Sequence, residues 1–198
     1  MRHTGEDFSC YSRSRRPSIV EDLQHLIDAG HQFNTVLADP PWRYNNTASR
    51  GAVANRYPTM SLADICNEPI ASLVSPNAHL HLWTTNAFIE SAFSVIRAWG
   101  FQYKSCLIWV KPSIEFGNYW RVSHEFLLLG VRGKLRFRRN DVPSWALQPR
   151  RAHSRKPFRF RWLIEQVSPG PYLELYGRQE QPGTDWTVYG NQVERRLF

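Results

Sequence analysis

The stretch Asn34-Thr-Val-Leu-Ala-Asp39-Pro40-Pro41-Trp42 is a short apolar run that ends at an acid, two prolines and an aromatic ring. Its β-branched and apolar residues predict a strand over residues 35–38. The two prolines cannot continue a sheet ladder, and they fix the backbone just beyond the strand. We therefore expect an acidic side chain, carbonyl groups and an indole ring to be held together on a stiff turn.

Such a turn suits a planar amine, because carboxylate and carbonyl oxygens accept amino hydrogens while the ring stacks on a base. The N6 amine of adenine is a poor nucleophile, since its lone pair is delocalised into the ring. Hydrogen bonds to Asp39 and a proline carbonyl would favour a pyramidal nitrogen that can attack a methyl donor. The alternative is a strand end followed by a turn, with Trp42 in the core, since short motifs occur by chance.

Composition restricts the class of protein and of partner. The 198 residues suffice for one α/β domain with a full core. Hydrophobic content of 42% and eight tryptophans indicate a globular protein. The net charge of +8 and the pI of about 9.8 favour a polyanionic partner, and nucleic acid before a membrane.

The three cysteines, Cys10, Cys66 and Cys106, are scattered, so neither a zinc site nor a disulfide framework is indicated. This usage fits a reducing, cytoplasmic setting. No stretch reaches the ~18 apolar residues of a membrane span, and the N-terminus lacks the apolar region of a signal peptide. We expect residues 1–17 to form a basic flexible arm and residues 18–198 to form a single domain.

Strand and helix signals alternate along this domain. Helical spacing over residues 20–29 and the later segments 61–66 and 70–73 predicts three helices, and residues 43–58 between them have no periodicity. Long loops in compact domains tend to be functional or disordered, and Tyr44 could clamp a base there or pack at the end of the loop.

The next unit reads as strand, helix and strand. Residues 78–83 alternate, the following residues keep helical spacing up to Gly100, and residues 103–110 form the second strand. This order predicts a βαβ crossover with a parallel strand pair. His79 and His81 could be read as metal ligands, but without a third ligand nearby we interpret them as structural.

A basic region follows. A strand over residues 124–131 continues through a turn into residues 134–139, which predicts a hairpin with basic residues on one face. It is either a solvated edge that discourages aggregation or a surface that follows phosphates, and the density of arginine favours the second. The candidate nucleic-acid-binding residues are Tyr44, Arg132, Lys134, Arg136, Arg138, Arg139, Arg150, Arg151 and Arg155.

The C-terminal part predicts one helix and two strands. Pro157 suits the first turn of a helix with an apolar stripe, and Ser168-Pro169-Gly170 ends that helix. Strands are predicted over residues 171–176 and 186–189. Asp39, Lys111 and residues 174–178 thus all follow or end predicted strands, and ligands of open α/β sheets bind at such ends.

Several short motifs occur in one order along residues 33–193. They are Asp39-Pro-Pro-Trp42, Leu82-Trp83, Ile108-Trp-Val-Lys111, His124-Glu125, Gly130-Val-Arg-Gly133, His153-Ser-Arg-Lys-Pro157, Leu173-Glu-Leu-Tyr-Gly-Arg178 and Trp186 with Gly190-Asn-Gln192. Together they resemble the MT-A70 family of S-adenosylmethionine-dependent adenine N6-methyltransferases, in particular its short bacterial and phage members. The resemblance implies a Rossmann-like, doubly wound mixed sheet of the methyltransferase type with an antiparallel edge hairpin.

The resemblance also implies roles for single residues. Asp39, Pro40, Pro41 and Trp42 would hold the target adenine, with Asp39 also near the methionine part of S-adenosylmethionine. Lys111 would pair with the methionine carboxylate, and residues 19–20 would lie near the donor's adenine. The remaining cofactor-binding residues implied by the family are Glu174, Gly177, Arg178, Asn191 and Gln192. Members often have His and Asn after the Gly-Arg pair, where this chain has Gln179-Glu180.

Three interpretations stay open at this point. The first is a DNA adenine N6-methyltransferase that acts on a flipped or single-stranded base. The second is an RNA adenine methyltransferase with the same chemistry. The third is a catalytically silent nucleic-acid-binding subunit with a methyltransferase fold, which an intact Asp39-Pro-Pro-Trp42 disfavours. DNA precedes RNA only by analogy with compact members of the family. None of the three requires a metal.

Overall fold

A computed structural model describes residues 16–43, 59–114, 119–151 and 155–190. Eight strands and five α-helices alternate along these residues. The strands are β1 (Ile19–Val20), β2 (Phe33–Ala38), β3 (Val74–Thr84), β4 (Gln102–Val110), β5 (His124–Arg132), β6 (Trp145–Leu147), β7 (Tyr172–Leu175) and β8 (Trp186–Tyr189). The helices are α1 (Leu23–Asp28), α2 (Leu62–Asn67), α3 (Ile70–Leu73), α4 (Ile89–Ala98) and α5 (Phe158–Val167).

All eight strands join one mixed sheet in the order β1-β8-β7-β2-β3-β5-β4-β6. Strand β5 is antiparallel to both of its neighbours, and every other pair is parallel. This is the predicted α/β sheet of the methyltransferase type, so the fold class is confirmed. The antiparallel strands lie towards one edge, where the short strand β6 is the last member.

For the predicted crossover from β3 through α4 to β4, the parallel direction of the two strands is correct, but the prediction that they pair with each other is wrong. The two strands run the same way, yet β5 lies between them and pairs with both. The residues explain this order. Strand β5 carries an apolar run buried at its centre, which is typical of an inner strand, whereas the first half of β4 is polar and exposed.

The predicted hairpin beyond β5 is wrong, because residues 134–139 form no strand. Both sides of β5 already pair with β3 and β4, so no free edge remains for a further strand. The chain instead turns at Gly133, which has a positive φ of 67°, and the backbone N–H of Lys134 donates to Asn77 Oδ1 at 2.8 Å.

The first helix also begins later than predicted. Ile19 and Val20 form strand β1 beside β8, and α1 starts only after Asp22, whose side chain accepts the backbone N–H of Gln24. The other predicted helices and strands are present. No helix among the described residues is long and apolar enough to cross a membrane.

Apolar side chains cover both faces of the sheet. One core packs α1–α4 against the sheet, and Phe33, Leu80 and Trp99 lie at its centre. The other packs α5 against the opposite face, where Trp83 and Trp109 surround Phe160. Because α5 lies over β2 and β3, its first residues come close to the carboxyl ends of these strands.

The chain changes direction beside β2, and this positions the site. From β2 it continues through α2 and α3 to β3 on one side, whereas β7, the other neighbour of β2, continues to β8 on the opposite side. Loops that leave adjacent parallel strands in opposite directions open a crevice at their carboxyl ends. Asp39 follows β2 and Tyr176 follows β7, so both lie at this crevice.

Candidate active site

Asp39 is fixed by a lysine from a distant part of the chain. The Nζ atom of Lys156 lies 2.9 Å from Oδ1 and 2.8 Å from Oδ2 of Asp39. Lys156 reaches this position because Pro157 caps helix α5 directly after it. The Asp39 side chain is 40% exposed, and each carboxylate oxygen has a second lone pair, so it can accept a further hydrogen bond.

A second carboxylate extends this contact into a chain of alternating charges. Glu125, at the start of β5, lies 3.4 Å from the Lys156 ammonium and 2.7 Å from the ammonium of Lys111. Lys111 follows β4 and is almost fully buried, with its Nζ 4.9 Å from the centre of the Trp109 ring. The order Asp39, Lys156, Glu125 and Lys111 defines what we call the charged cluster.

The cluster shifts the pKa of Lys156 and of Glu125 towards their charged forms. Burial alone would lower the pKa of Lys156, but Asp39 and Glu125 outweigh it and raise the pKa above the ordinary value. Burial likewise opposes ionisation of Glu125, yet the two lysines hold its pKa below the ordinary value. Both groups are therefore charged at neutral pH.

A cleft of about 360 Å³ lies at the carboxyl ends of β2 and β7, and Asp39 and Lys156 form part of its wall. Five cationic side chains line it, against the two carboxylates of Asp39 and Glu174. The cations are Arg151, Arg155, Lys156, Arg161 and Arg178. Leu37, Trp83, Phe158 and Phe160 provide the apolar part of the wall. The cleft can thus hold a ligand with both a flat apolar part and anionic or hydroxyl groups.

Glu174 and Arg161 form an ion pair inside this cleft. Burial raises the pKa of Glu174 above its ordinary value, and the neighbouring Arg161 opposes the shift only in part. The guanidinium lies 5.4 Å from the ring centres of Phe158 and Trp186, which hold it against the wall. Arg161 Nε is buried and has no hydrogen-bond partner among the described residues, so one donor of the wall is left for a ligand.

Gly177 lies where the ends of β7 and β8 meet. Its backbone N–H donates to the carbonyl of Tyr189 at 3.0 Å, and the preceding Tyr176 has a positive φ of 61°. A Cβ atom on Gly177 would lie 2.4 Å from Val188 Cγ1, and one on Gly190 would lie 2.1 Å from the Gly177 carbonyl oxygen. Only glycine at these two positions permits the two backbone segments to approach this closely.

Only some of the residues predicted to bind the cofactor line the cleft. Asp39, Glu174, Gly177 and Arg178 line the same cleft. Lys111 lies behind the cleft wall, with its ammonium on Glu125, and Lys156 is the lysine that lines the cleft. Asn191 and Gln192 lie outside the described residues, so their roles stay predictions.

Trp42 lies against another aromatic ring. It stacks on Phe88, with ring centres 5.5 Å apart and planes 13° from parallel, and its Nε1 donates to the Trp83 carbonyl at 3.3 Å. Pro40 is buried and Pro41 partly buried beside it, and the Pro41 carbonyl accepts the N–H of Met60. The Pro40 carbonyl accepts the N–H of Trp42. The base-binding roles of these three residues stay predictions, as does that of Tyr44, which lies outside the described residues.

The predicted basic surface divides into two parts. Arg132 donates to the Ala71 carbonyl, and Arg139 forms a double hydrogen bond with Asp141. Lys134, Arg136 and Arg138 are exposed and follow the turn at Gly133 along the chain. Arg150 is also exposed, whereas Arg151 and Arg155 line the cleft itself. The second part is thus continuous with the candidate active site.

Three residues of the site were not singled out from the sequence as site residues. In the sequence, Lys156 and Arg161 belong to the run of cations that favours a surface following phosphates, and Glu125 is a motif residue without a role. Their partners are separated from them by 117, 13 and 31 residues, respectively. A signal was available for Lys156, because it directly precedes the proline that starts a helix.

Gln179 and Glu180, which replace the His and Asn that family members often have after the Gly-Arg pair, also have defined positions in the structure. Gln179 lines the cleft, and the Glu180 carboxylate accepts a hydrogen bond from the Ser18 hydroxyl just before β1. Glu180 therefore joins the loop after β7 to the N-terminal strand. His79 and His81 lie far from this wall and bind Ser168, and no described group of three or more potential ligands could hold a metal ion.

Comparison with known proteins gives consistent matches. A model of the MT-A70 family matches residues 33–192. The chain is 33% identical over 197 residues to the human N(6)-adenine-specific methyltransferase METTL4. The matched region covers 89% of this chain and 40% of that protein. The chain is 25% identical over 184 residues to the human N(6)-adenosine-methyltransferase catalytic subunit METTL3, covering 87% and 30%. The chain therefore spans less than half the length of the curated relatives it matches.

Proposed function

We propose, because this chain belongs to the MT-A70 family, that it transfers a methyl group from S-adenosylmethionine to the N6 amine of adenine in nucleic acid. The single observation that carries the proposal is the Asp39 carboxylate, held by Lys156 at the wall of a cleft at the carboxyl ends of the strands. The names of the relatives support the choice of adenine N6 as the acceptor.

The residues of the cleft fit S-adenosylmethionine. Its methionine carboxylate needs a cation, and its adenine needs an apolar slot. Its ribose hydroxyl groups need protein groups that accept or donate hydrogen bonds. Lys156 provides the cation nearest to Asp39, Glu174 provides a carboxylate for hydroxyl groups, and Arg161 Nε provides a buried donor without a partner among the described residues. Arg178 and Gly177 complete this wall, as the family resemblance implies. When bound, S-adenosylmethionine supplies an electrophilic methyl group.

Asp39 acts on the amine of the target. Its carboxylate accepts one hydrogen of N6, which moves electron density onto the nitrogen and favours its pyramidal form. Lys156 fixes both carboxylate oxygens, so that their remaining lone pairs keep one direction. Glu125 fixes Lys156 in turn, and Lys111 compensates the charge of Glu125. Pre-arranged groups of this kind act without reorganisation during the reaction.

The proposed nucleic acid is DNA, and RNA is the alternative. The net charge of +8 and the arginines of the cleft wall support a polyanionic substrate in either case. A target inside a duplex would have to be flipped out to reach Asp39, because N6 is otherwise paired.

The test is a methyl-transfer assay with a labelled donor and matched DNA and RNA oligonucleotides, single-stranded and duplex, each with or without adenine. The methylated nucleoside is then identified by mass spectrometry. We expect N6-methyladenine and no transfer to the adenine-free controls. A product methylated at another position would overturn the proposed acceptor. Binding of nucleic acid without binding of S-adenosylmethionine, measured by calorimetry, would favour the silent subunit.

A further inference from the structure

Two neighbouring aromatic side chains lie almost entirely in water. Tyr119 is 96% exposed and Trp120 is 89% exposed, whereas most tryptophans of this chain pack against the sheet or its helices. An isolated exposed leucine needs no explanation, but two consecutive residues with large and almost fully exposed rings are uncommon on a protein surface.

The position of these rings relates them to the cleft. They lie in the loop from β4 to β5, and β4 runs parallel to β2, so this loop leaves the sheet at the same edge as Asp39. The backbone N–H of Lys111 donates to the Ser123 carbonyl at 2.7 Å and closes the loop at its base. Glu125, two residues further on, contacts Lys156, which binds Asp39. Trp120 is three residues from Ser123, a reach of at most about 10 Å.

The size of the loop argues against a protein partner as its occupant. Tyrosine and tryptophan each bury about 150–250 Å². Even with the exposed Ile114 on the other arm of the loop, these side chains fall short of the roughly 800 Å² that each partner buries in a stable complex. The neighbours of the two rings in the sequence include Arg121 and Ser123, which are polar.

The charge around the site favours nucleic acid. The chain has a net charge of +8, and five cationic side chains line the adjacent cleft against two carboxylates. Cations that follow a phosphate backbone, combined with aromatic rings that face solvent, are the features by which proteins bind single strands. Each nucleobase has a flat face, so stacking on such rings does not depend on sequence.

We propose that Tyr119 and Trp120 form a stacking platform for unpaired nucleobases next to the target adenine. The proposal rests on the proposed function, because it assumes that nucleic acid enters the cleft. Stacking requires a base whose face is not covered by its neighbours. The platform therefore favours a single strand, or a strand opened around the target, over an intact duplex.

The test is oligonucleotide binding by the double variant Tyr119→Ser/Trp120→Ser. Both positions are exposed, so the variant should fold. A matched control is Trp162→Ser, which removes a half-exposed tryptophan from α5. Fluorescence anisotropy with a labelled single-stranded oligonucleotide should give about tenfold weaker binding or more for the double variant, and no change for the control. The dependence of affinity on salt should keep its slope, because stacking releases no counterions.

A second measurement identifies the bases. An oligonucleotide with abasic sites on both sides of the adenine should bind more weakly than the intact one to the natural protein, and equally to the double variant. Unchanged affinity of the double variant, or equal sensitivity of both proteins to the abasic sites, would overturn the platform. A change only in self-association, measured by sedimentation, would overturn it in favour of a protein contact.

These outcomes separate the platform from the proposed function. Binding is measured without methyl transfer, so a protein that binds through Tyr119 and Trp120 but methylates no adenine would contradict only the proposed function. A protein that methylates adenine normally after both substitutions, with unchanged affinity, would contradict only the platform.

Discussion

The two ends of helix α5 carry two polar clusters of opposite character. Lys156, two residues before the helix, belongs to the charged cluster with Asp39, Glu125 and Lys111. Ser168, directly after the helix, contacts His79 and His81 of β3 and forms what we call the histidine cluster. The helix has ten residues, so the two clusters lie about 15 Å apart along one element.

The histidine cluster satisfies itself. The Leu135 carbonyl can only accept, so His79 Nε2–H donates to it, and Nδ1 of a neutral His79 must then accept from the Ser168 hydroxyl. The Ser168 oxygen in turn accepts from His81 Nε2–H. Burial lowers the pKa of His81 to about 3, with a smaller contribution from His79, and it lowers the pKa of His79 as well. Both rings are therefore neutral at physiological pH.

The difference between the clusters separates a structural role from a functional one. In the histidine cluster one hydroxyl matches one donor and one acceptor, which fixes β3 relative to the end of α5. The charged cluster keeps free acceptor capacity on Asp39 and faces a cleft. Buried ion pairs stabilise a fold only weakly, so a chain of four charges that runs from the buried Lys111 to the partly exposed Asp39 beside a cleft favours a functional role.

The largest expected effect is that of Asp39→Asn on catalysis. The amide keeps the shape but presents a donor where the adenine amine needs an acceptor. We expect methyl transfer to fall at least about 100-fold, the lower range for loss of a group that acts on a proton. Single-turnover kinetics measure the loss, and calorimetry of S-adenosylmethionine binding and urea unfolding serve as controls. Turnover within a few-fold of the natural protein would remove Asp39 from its proposed role.

Glu125→Gln is expected to reduce stability most. It removes the carboxylate that lies 2.7 Å from the nearly fully buried ammonium of Lys111, and breaking a buried ion pair costs about 3–5 kcal/mol. The double variant Lys111→Met/Glu125→Gln removes both charges and should recover much of the free energy of unfolding. Urea unfolding of the two single variants and the double variant completes the cycle. If the losses simply add, the two side chains do not depend on each other.

Lys156→Met should weaken cofactor binding. A charge-assisted hydrogen bond to the methionine carboxylate contributes about 1.5–3 kcal/mol, so the dissociation constant of S-adenosylmethionine should rise by roughly 10-fold to 150-fold. Lys134→Met, which removes an exposed lysine beyond Gly133, is the matched control and should leave it unchanged. Equal affinities in calorimetry would return the role to Lys111.

The last expected effect is the pH dependence of stability from the histidine cluster. The unfolded chain binds a proton on His81 below pH 6.5, and the folded one only below about pH 3. The unfolded state therefore binds more protons in this window, and stability falls as pH decreases through it, by up to about 1.4 kcal/mol per pH unit. His81→Gln keeps a donor to Ser168 and should flatten this slope, measured by urea unfolding at pH 5 and pH 7.5. His25→Gln, at an exposed position of α1, should not flatten it, and methyl transfer at pH 7.5 should be unchanged in both.

The sequence predicted what depends on neighbours along the chain. Alternation and apolar runs identified strands β2, β3, β5, β7 and β8 to within a few residues, and strand ends placed Asp39 and Glu174 at one edge. It failed where long-range pairing decides. Nothing local says that β5 inserts between β3 and β4, and the hairpin beyond β5 was predicted because that insertion was not foreseen.

The site shows the same limit. Asp39 could be singled out because prolines and a tryptophan surround it, but its partner Lys156 lies 117 residues away in a run of cations. The family resemblance implies that Lys111 pairs with the methionine carboxylate, but this lysine is buried in the structure. Its burial follows from the loop that Ser123 closes over it, which depends on how β4 and β5 pair.

The contact between Gly177 and Gly190 has a consequence for engineering. Any side chain on Gly190 would overlap the Gly177 carbonyl at 2.1 Å, so this wall of the cleft cannot be rebuilt by substitution at either glycine. The opposite wall comes from the first turn of α5, where Phe158 lines the cleft and is half-exposed. Libraries that aim at enlarged sulfonium donors should therefore vary Phe158 and leave Arg161 and the two glycines constant.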